Sequence, residues 1–178
     1  VWLGTTEGLN RYNGKDVRVF QPSESNHGLT NNEINELCGD KNGRMYIRSG
    51  NDLIKLDIYT EQFTCLRQKG VYGLFCKKDT LWVSCADGIY YYTGQGTELT
   101  FFARVQKGFV GRALYVDRET VWVVTRKYLV AISREDPLRQ EILLTLDKGN
   151  CILGDSSGNI WVGAWNGLYR VSPDRETT

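Results

Sequence analysis

"IWVGAWNGLYRV", residues 160–171, repeats the phrase on which the chain opens, "VWLGTTEGLNRY" at residues 1–12. Aligned, the two share Trp, Gly, Gly, Leu and Arg, with Ile against Val and Val against Leu beside the Trp. Weaker copies lie between them: "MYIRSGNDLIKLD" (45–57), "LWVSCADGIYYYT" (81–93) and "VWVVTRKYLVAIS" (121–133). Their aligned aromatics are Trp2, Tyr46, Trp82, Trp122 and Trp161, spaced by 44, 36, 40 and 39 residues. A period near 40 marks a propeller or a solenoid.

Each unit can be followed strand by strand. An apolar run such as "INELCGD", "YGLFCKKD", "RALYVD" or "NCILGD" ends at Asp40, Asp79, Asp117 or Asp155 and then turns. Asp bonds the backbone of such a turn, which makes these residues turn formers rather than catalysts. The Trp strand follows, then a tight turn, a third strand and a fourth run such as "FTCL" or "EILLTL". Four antiparallel strands in about 40 residues make one propeller blade. The Trp strand is apolar at nearly every position, as expected of a strand buried on both faces. Two residues beyond each Trp stand Gly4, Ser84, Val124 and Gly163, mostly small, where the next blade's ring could pack close.

The expected fold is all-β, a β-propeller fragment with strands in groups of three, four, four, four and three. Blade segments are placed at 1–21, 33–67, 71–103, 110–146 and 150–173 of a single domain, 1–178. Such a count closes no ring of whole blades, so the chain is expected to belong to a larger propeller.

Composition agrees with a folded β protein: 41% of residues are hydrophobic, 24% are charged and the formal net charge is +1. That balance and the lack of a Lys/Arg run argue against nucleic-acid contact. No apolar stretch approaches the ~20 residues that span a bilayer. Cys38, Cys65, Cys76, Cys85 and Cys151 show no metal-ligand spacing, and His27 is the only histidine; no metal or cofactor is expected. A turn near Asp79–Thr80 would set Cys76 opposite Trp82 and leave Cys85 misplaced for a bridge, so the five are read as buried free thiols.

The stretch "VWLGTTEGLNRYNGKDVRVFQPSESNHGLTNNEINELCGDKNGRMYI", with "DSSGNIWVGAWNGLYRV", resembles the two-component regulator propeller repeats. The likeness covers essentially the whole chain. It is specific in the first and last repeats and degraded between them, where Tyr46 replaces Trp and "TRKYL" lacks the Gly before Leu. Such repeats build the periplasmic sensor region of hybrid two-component histidine kinases of gut anaerobes. The resemblance implies two tandem seven-bladed propellers and a β-sandwich outside the inner membrane, with a membrane-anchored kinase, receiver and DNA-binding domain following. It further implies an oligosaccharide ligand derived from a polysaccharide, the remaining blades of the same parent chain as partners, a homodimer, and control of transcription.

In a blade, the loops joining strands two and three share a face with the blade-to-blade loops. The first set offers Glu7, Asn51, Asp52, Asp87, Arg126, Lys127, Tyr128, Trp165 and Asn166, and the second His27, Asn31, Asn32, Tyr72, Phe109, Arg112 and Asn150. From these, Trp165, Asn166, Arg112, Arg126, Tyr128 and Tyr72 are the candidate ligand-binding residues. An exposed indole at Trp165 could stack on a sugar, or it could pack on a neighbouring loop. The arginines and Tyr128 could bond hydroxyls or an acidic sugar. "YYY" at 90–92 reads as strand packing. Catalysis needs an acid and a base held together, and one histidine without paired carboxylates does not suggest it. The alternative function is a protein-interaction scaffold, which an ionic patch on one face would favour; aromatics over a concavity would favour glycan.

Overall fold

The structure, a computed structural model, describes residues 1–22 and 28–178, so His27 lies outside the described residues. Eighteen strands form five antiparallel sheets, which we call blades 1 to 5. Blade 1 comprises β1 (Trp2–Thr5), β2 (Gly8–Tyr12) and β3 (Val17–Phe20). Blade 2 comprises β4 (Ile34–Gly39), β5 (Arg44–Ser49), β6 (Asp52–Asp57) and β7 (Gln62–Arg67). Blade 3 holds β8 (Val71–Lys77), β9 (Thr80–Cys85), β10 (Gly88–Tyr92) and β11 (Thr100–Ala103). Blade 4 holds β12 (Gly111–Val116), β13 (Thr120–Thr125), β14 (Tyr128–Ser133) and β15 (Gln140–Thr145), and blade 5 has β16 (Cys151–Gly154), β17 (Ile160–Ala164) and β18 (Gly167–Val171). Every sheet is a simple meander in chain order, and each packs on the next, with β4, β8, β12 and β16 side by side on the inner edge. Among the described residues no helix is long and apolar enough to cross a membrane.

The repeated aromatic holds this array together. Trp2 packs among blade 2 residues such as Ile34 and Ile47. Tyr46 packs with Leu74, Leu81 and Val83 of blade 3, Trp82 with Leu114 and Val123 of blade 4, and Trp122 with Ile160 and Val162 of blade 5. Each aromatic thus buries on the blade that follows it. Trp161 has no such successor among the described residues.

The same asymmetry appears at the repeated Leu or Ile that opens the third strand. Leu9, Leu53, Ile89 and Leu129 are each 0% exposed, whereas Leu168, at the same position, is 67% exposed. On the opposite side of the array, Leu3 is 51% exposed where Ile47, Val83, Val123 and Val162 are 0%. The outer faces of blades 1 and 5 are therefore open apolar sheets, and residues that differ little in sequence differ in burial because of their place in the row. The tail beyond β18 turns back at Ser172–Glu176, and Val171 bridges Thr177 where a fourth strand would lie.

Three of the four repeat Asp residues, Asp40, Asp117 and Asp155, use both carboxylate oxygens. In Asp117, Oδ1 accepts the N–H groups of Glu119 and Thr120 at 2.8 Å, and Oδ2 accepts the Trp122 indole N–H at 2.6 Å. Asp155 binds Ser157, Asn159 and the Trp161 indole in the same way, and Asp40 accepts from Asn42, Arg44 and the Tyr46 hydroxyl. The turn and the inter-blade aromatic are thereby fixed to one another. Asp79 departs from the pattern. Lys77 pairs with Thr80, so the turn is Lys78–Asp79 with Lys78 at φ 54°, and Asp79 instead accepts from Asn42.

That shorter turn corrects the register expected from sequence: Cys76 pairs with Leu81 and Phe75 with Trp82. The five thiols are free, but only Cys85 is buried; Cys151 is exposed on the open face of blade 5. Burial pushes the Cys85 thiol up to about 11 and raises Cys65, while Cys38 is raised by its hydrogen bond with Cys76 and by burial. Gly4, Ser84 and Val124, two beyond Trp2, Trp82 and Trp122, meet the next inner strand or the loop before it rather than the next ring. A Cβ on Gly4 would lie 2.7 Å from Ile34, Ser84 Oγ donates to the Gly111 carbonyl at 2.8 Å, and Val124 abuts Gly149. The glycine before the third strand has its own reason: Gly8 and Gly88 have φ of 126° and 156°, and a Cβ there would strike the carbonyls of Phe20 and Ala103.

Two outcomes are expected. Asp117→Ala, which orphans the turn amides and the half-buried indole N–H, lowers the unfolding free energy by about 2 kcal/mol, and Asp117→Asn, which keeps an acceptor, by clearly less; equal losses in chemical denaturation would contradict the shared role. A thiol reagent at about pH 8 labels one cysteine fast, and Cys151→Ser removes that fast phase.

Candidate functional site

The inner strands β4, β8 and β12 each carry a β-bulge at the same station. Ile34 pairs with Ser49 but Glu36 with Arg48; Val71 pairs with Cys85 but Gly73 with Ser84; Gly111 pairs with Thr125 but Ala113 with Val124. Asn35, Tyr72 and Arg112 are the extra residues. A bulge frees its extra residue from the ladder and re-aims its side chain. All three line the groove that runs along the inner edge of the blades, about 760 Å³ in volume, and Asn150 joins them from the head of β16. Close approach of the inner strands makes this possible: at Gly73 an added Cβ would lie 2.7 Å from the Arg112 carbonyl oxygen.

Hydrogen bonds between the two loop classes place them on one face, as expected. Val71 N–H donates to Asn51 O, Ala86 to Gly70, Gly149 to Arg126 and Trp165 to Asp147. On this face two hollows adjoin. Tyr72, Phe109, Arg112, Arg126 and Lys127 line one of about 390 Å³. Arg112, Arg126, Lys148, Asn150, Cys151 and Trp165 line the other, about 410 Å³. Arg112 and Arg126 belong to both, so Tyr72 and Trp165 stand at opposite ends of one cationic cleft.

Local chemistry sets these positions. Thr125 Oγ1 accepts from Lys127 N–H and Tyr128 N–H and donates to Tyr128 O, which pins Arg126 and Lys127 at the tip of a tight turn. Trp165 is 78% exposed among the described residues. Lys148 stands over its ring, with Nζ 4.8 Å from the centroid. The Lys148 backbone is left-handed, with φ 49°, in a loop tied to Trp165 through the Asp147 carbonyl.

Of the six candidates, Trp165, Arg112, Arg126 and Tyr72 come together. Tyr128 instead packs against Phe109, with centroids 4.9 Å apart, and does not line the cleft. Asn166 is occupied in its turn, donating to the Tyr169 hydroxyl at 2.7 Å and accepting from Asp147 N–H. Sequence reasoning missed Lys148, because the loop before β16 was read only at its Asn150 end. It also missed Asn35 and the shared station of Tyr72 and Arg112, since a bulge leaves no mark in the residue pattern. "YYY" is packing: Tyr91 lies against Trp82, Tyr90 donates to Asp87, and Tyr92 donates to the Gly96 carbonyl.

Glu36 is the carboxylate deepest in the groove. It accepts from Leu74 N–H at 3.0 Å and pairs with Arg48 at 3.5 Å. Burial raises its pKa above the ordinary 4.5, against the pull of Arg48 and the Leu74 amide. The opposite face differs in character. A hollow of about 480 Å³ there interleaves acids and bases, including Arg118, Glu119, Arg134, Glu135, Arg139 and Glu141, and Arg175 is paired with Glu141.

No protein-family profile matches the sequence, and no curated protein matches it. Solved structures do. An extracellular domain assigned to a hybrid two component system of B. thetaiotaomicron has a TM-score of 0.84 at 20% identity, covering 99% of this chain and 28% of that one. A second such domain from B. thetaiotaomicron gives 0.76 at 20% identity over 99% and 25%. Virginiamycin B lyase from Staphylococcus aureus gives 0.72 at 14% identity over 99% and 64%. The chain thus spans about a quarter of the two extracellular domains it matches. The fold is that of consecutive β-propeller blades, shared with these extracellular domains.

A pH dependence follows from Glu36. Its raised pKa means that its contribution is fully present below the ordinary carboxylate value and is lost as pH rises through the raised one. Glu36→Gln keeps an oxygen for the Leu74 N–H and is expected to flatten the fall in denaturation midpoint as pH rises above the ordinary carboxylate value. An unchanged slope would show that Glu36 carries none of it.

Proposed function

We propose that this chain is part of the extracytoplasmic, periplasmic sensor region of a hybrid two-component receptor. Its role is to detect an oligosaccharide released from a polysaccharide and to bias a histidine kinase that controls transcription. The observation that carries this reading is the cleft of Tyr72, Arg112, Arg126 and Trp165, an exposed indole and hydrogen-bond donors over a concavity on one loop face. The fold shared with extracellular domains of hybrid two-component systems supports the setting. The open faces of blades 1 and 5 support a larger ring, in which further blades of the parent chain cover Leu3 and Leu168.

Signalling in this reading needs no chemistry in the propeller. A ligand that binds one arrangement of two receptor chains better than another shifts the population toward it, and the shift passes through the membrane. The cleft presents cations and aromatics, and Glu36 below it is engaged by Arg48 and an amide, an arrangement for holding rather than transforming a ligand. Fold alone does not decide this, because a lyase shares it. A second reading, a protein-interaction scaffold, draws on the opposite face, where acids and bases alternate around Glu119, Arg134 and Glu141.

The test is a thermal-shift screen of the longer chain, with its ring complete, against plant, host and microbial oligosaccharides. One glycan is expected to raise Tm, and Trp165→Ala to abolish the rise. No shift across the panel would favour the scaffold, and kinase output unchanged under saturating glycan would overturn the sensor role.

A further inference from the structure

We propose that the cleft between Tyr72 and Trp165 takes an anionic saccharide, with a carboxylate or sulfate ester gripped by Arg112 and Arg126 and a sugar ring laid on Trp165. The inference rests on the oligosaccharide reading and narrows it to a ligand class.

Its basis is a local charge imbalance. The chain as a whole is nearly neutral, with 22 Lys and Arg against 21 Asp and Glu. Four cations, Arg112, Arg126, Lys127 and Lys148, nonetheless line the two adjoining hollows, and neither lining includes a carboxylate. None of the four enters an ion pair among the described residues. On the opposite face the cations are interleaved with Glu119, Glu135 and Glu141, so the imbalance belongs to one face and not to the surface at large.

Like charges gathered in one concavity repel and raise the local potential, which an anion relieves. Guanidinium groups match the two oxygens of a carboxylate or sulfate in a fork geometry that an ammonium lacks. The fold brings both arginines in from the backbone: Arg112 by the bulge that opens β12, Arg126 by the Thr125 turn. Lys148 over the Trp165 ring adds charge beside the stacking surface. A saccharide fits better than an acidic polypeptide because the cleft carries aromatic side chains, Tyr72 and Trp165, on which a sugar ring can stack.

Binding of galacturonate oligomers, a sulfated disaccharide, the neutral galactose oligomers and an oligoglutamate peptide to the same protein, at low and high salt, tests this. The anionic sugars are expected to bind at least about tenfold more tightly than the neutral ones, and to lose that margin in salt. Arg112→Gln and Arg126→Gln are each expected to weaken them about tenfold, with Arg126→Lys losing less than Arg126→Gln. Both side chains are exposed, and an unchanged Tm confirms folding of each variant. The galacturonate and sulfate arms separate the two sources of the anion. Equal binding of neutral and acidic sugars, or no loss in the double Gln variant, would overturn the anionic site while leaving oligosaccharide sensing standing. Tightest binding by oligoglutamate would assign the cleft to an acidic polypeptide, and silence of every sugar would remove both readings.

Discussion

Each blade has two apolar faces and can cover neither alone. Everything else in the molecule follows from that. A strand such as β13, "TVWVVT", is buried at every position, which no isolated meander could achieve. The aromatic of each repeat reaches into the following blade, and the Asp that turns the chain also receives the indole N–H in blade 4. Turn chemistry and inter-blade packing are therefore one device. Burial of a large side chain contributes about 1.5–3 kcal/mol. The row of buried Trp, Tyr, Leu and Ile side chains thus far outweighs the surface ion pairs, which contribute about 1 kcal/mol or less each.

Much of this is legible in the residues. The spacing of Trp2, Tyr46, Trp82, Trp122 and Trp161 carries the period, and the runs between Asp and Gly carry the strands. What is not legible depends on counting within a ladder. The turn at Lys78–Asp79 is one residue earlier than the Asp pattern suggests, and a shift of one moves Cys76 from Trp82 to Leu81. The bulges at Asn35, Tyr72 and Arg112 are of the same kind, since an extra residue changes no composition and breaks no period. Burial at the ends of the row is also hidden: Leu129 and Leu168 have the same local sequence role and opposite environments.

The two loop faces of the array have diverged in chemistry while sharing one scaffold. One gathers aromatics and uncompensated cations around Arg112 and Arg126. The other alternates Arg and Glu, with Arg175 bound to Glu141 and laid over Trp122. Sequence reasoning had taken aromatics over a concavity and a dense ionic patch as rival signatures of glycan and of protein. Both are present, on opposite faces.

The bulges also bear on how the groove could be altered without altering the fold. Ile34, Val71 and Gly111 pack, pair and cannot vary freely, but the residue that follows each of them is released from the ladder. Asn, Tyr and Arg occupy that station in successive blades, three unlike chemistries on one unaltered frame. The fold thus keeps a set of interchangeable seats facing the same groove. The side chain in each seat can change with little consequence for the ladder that displays it.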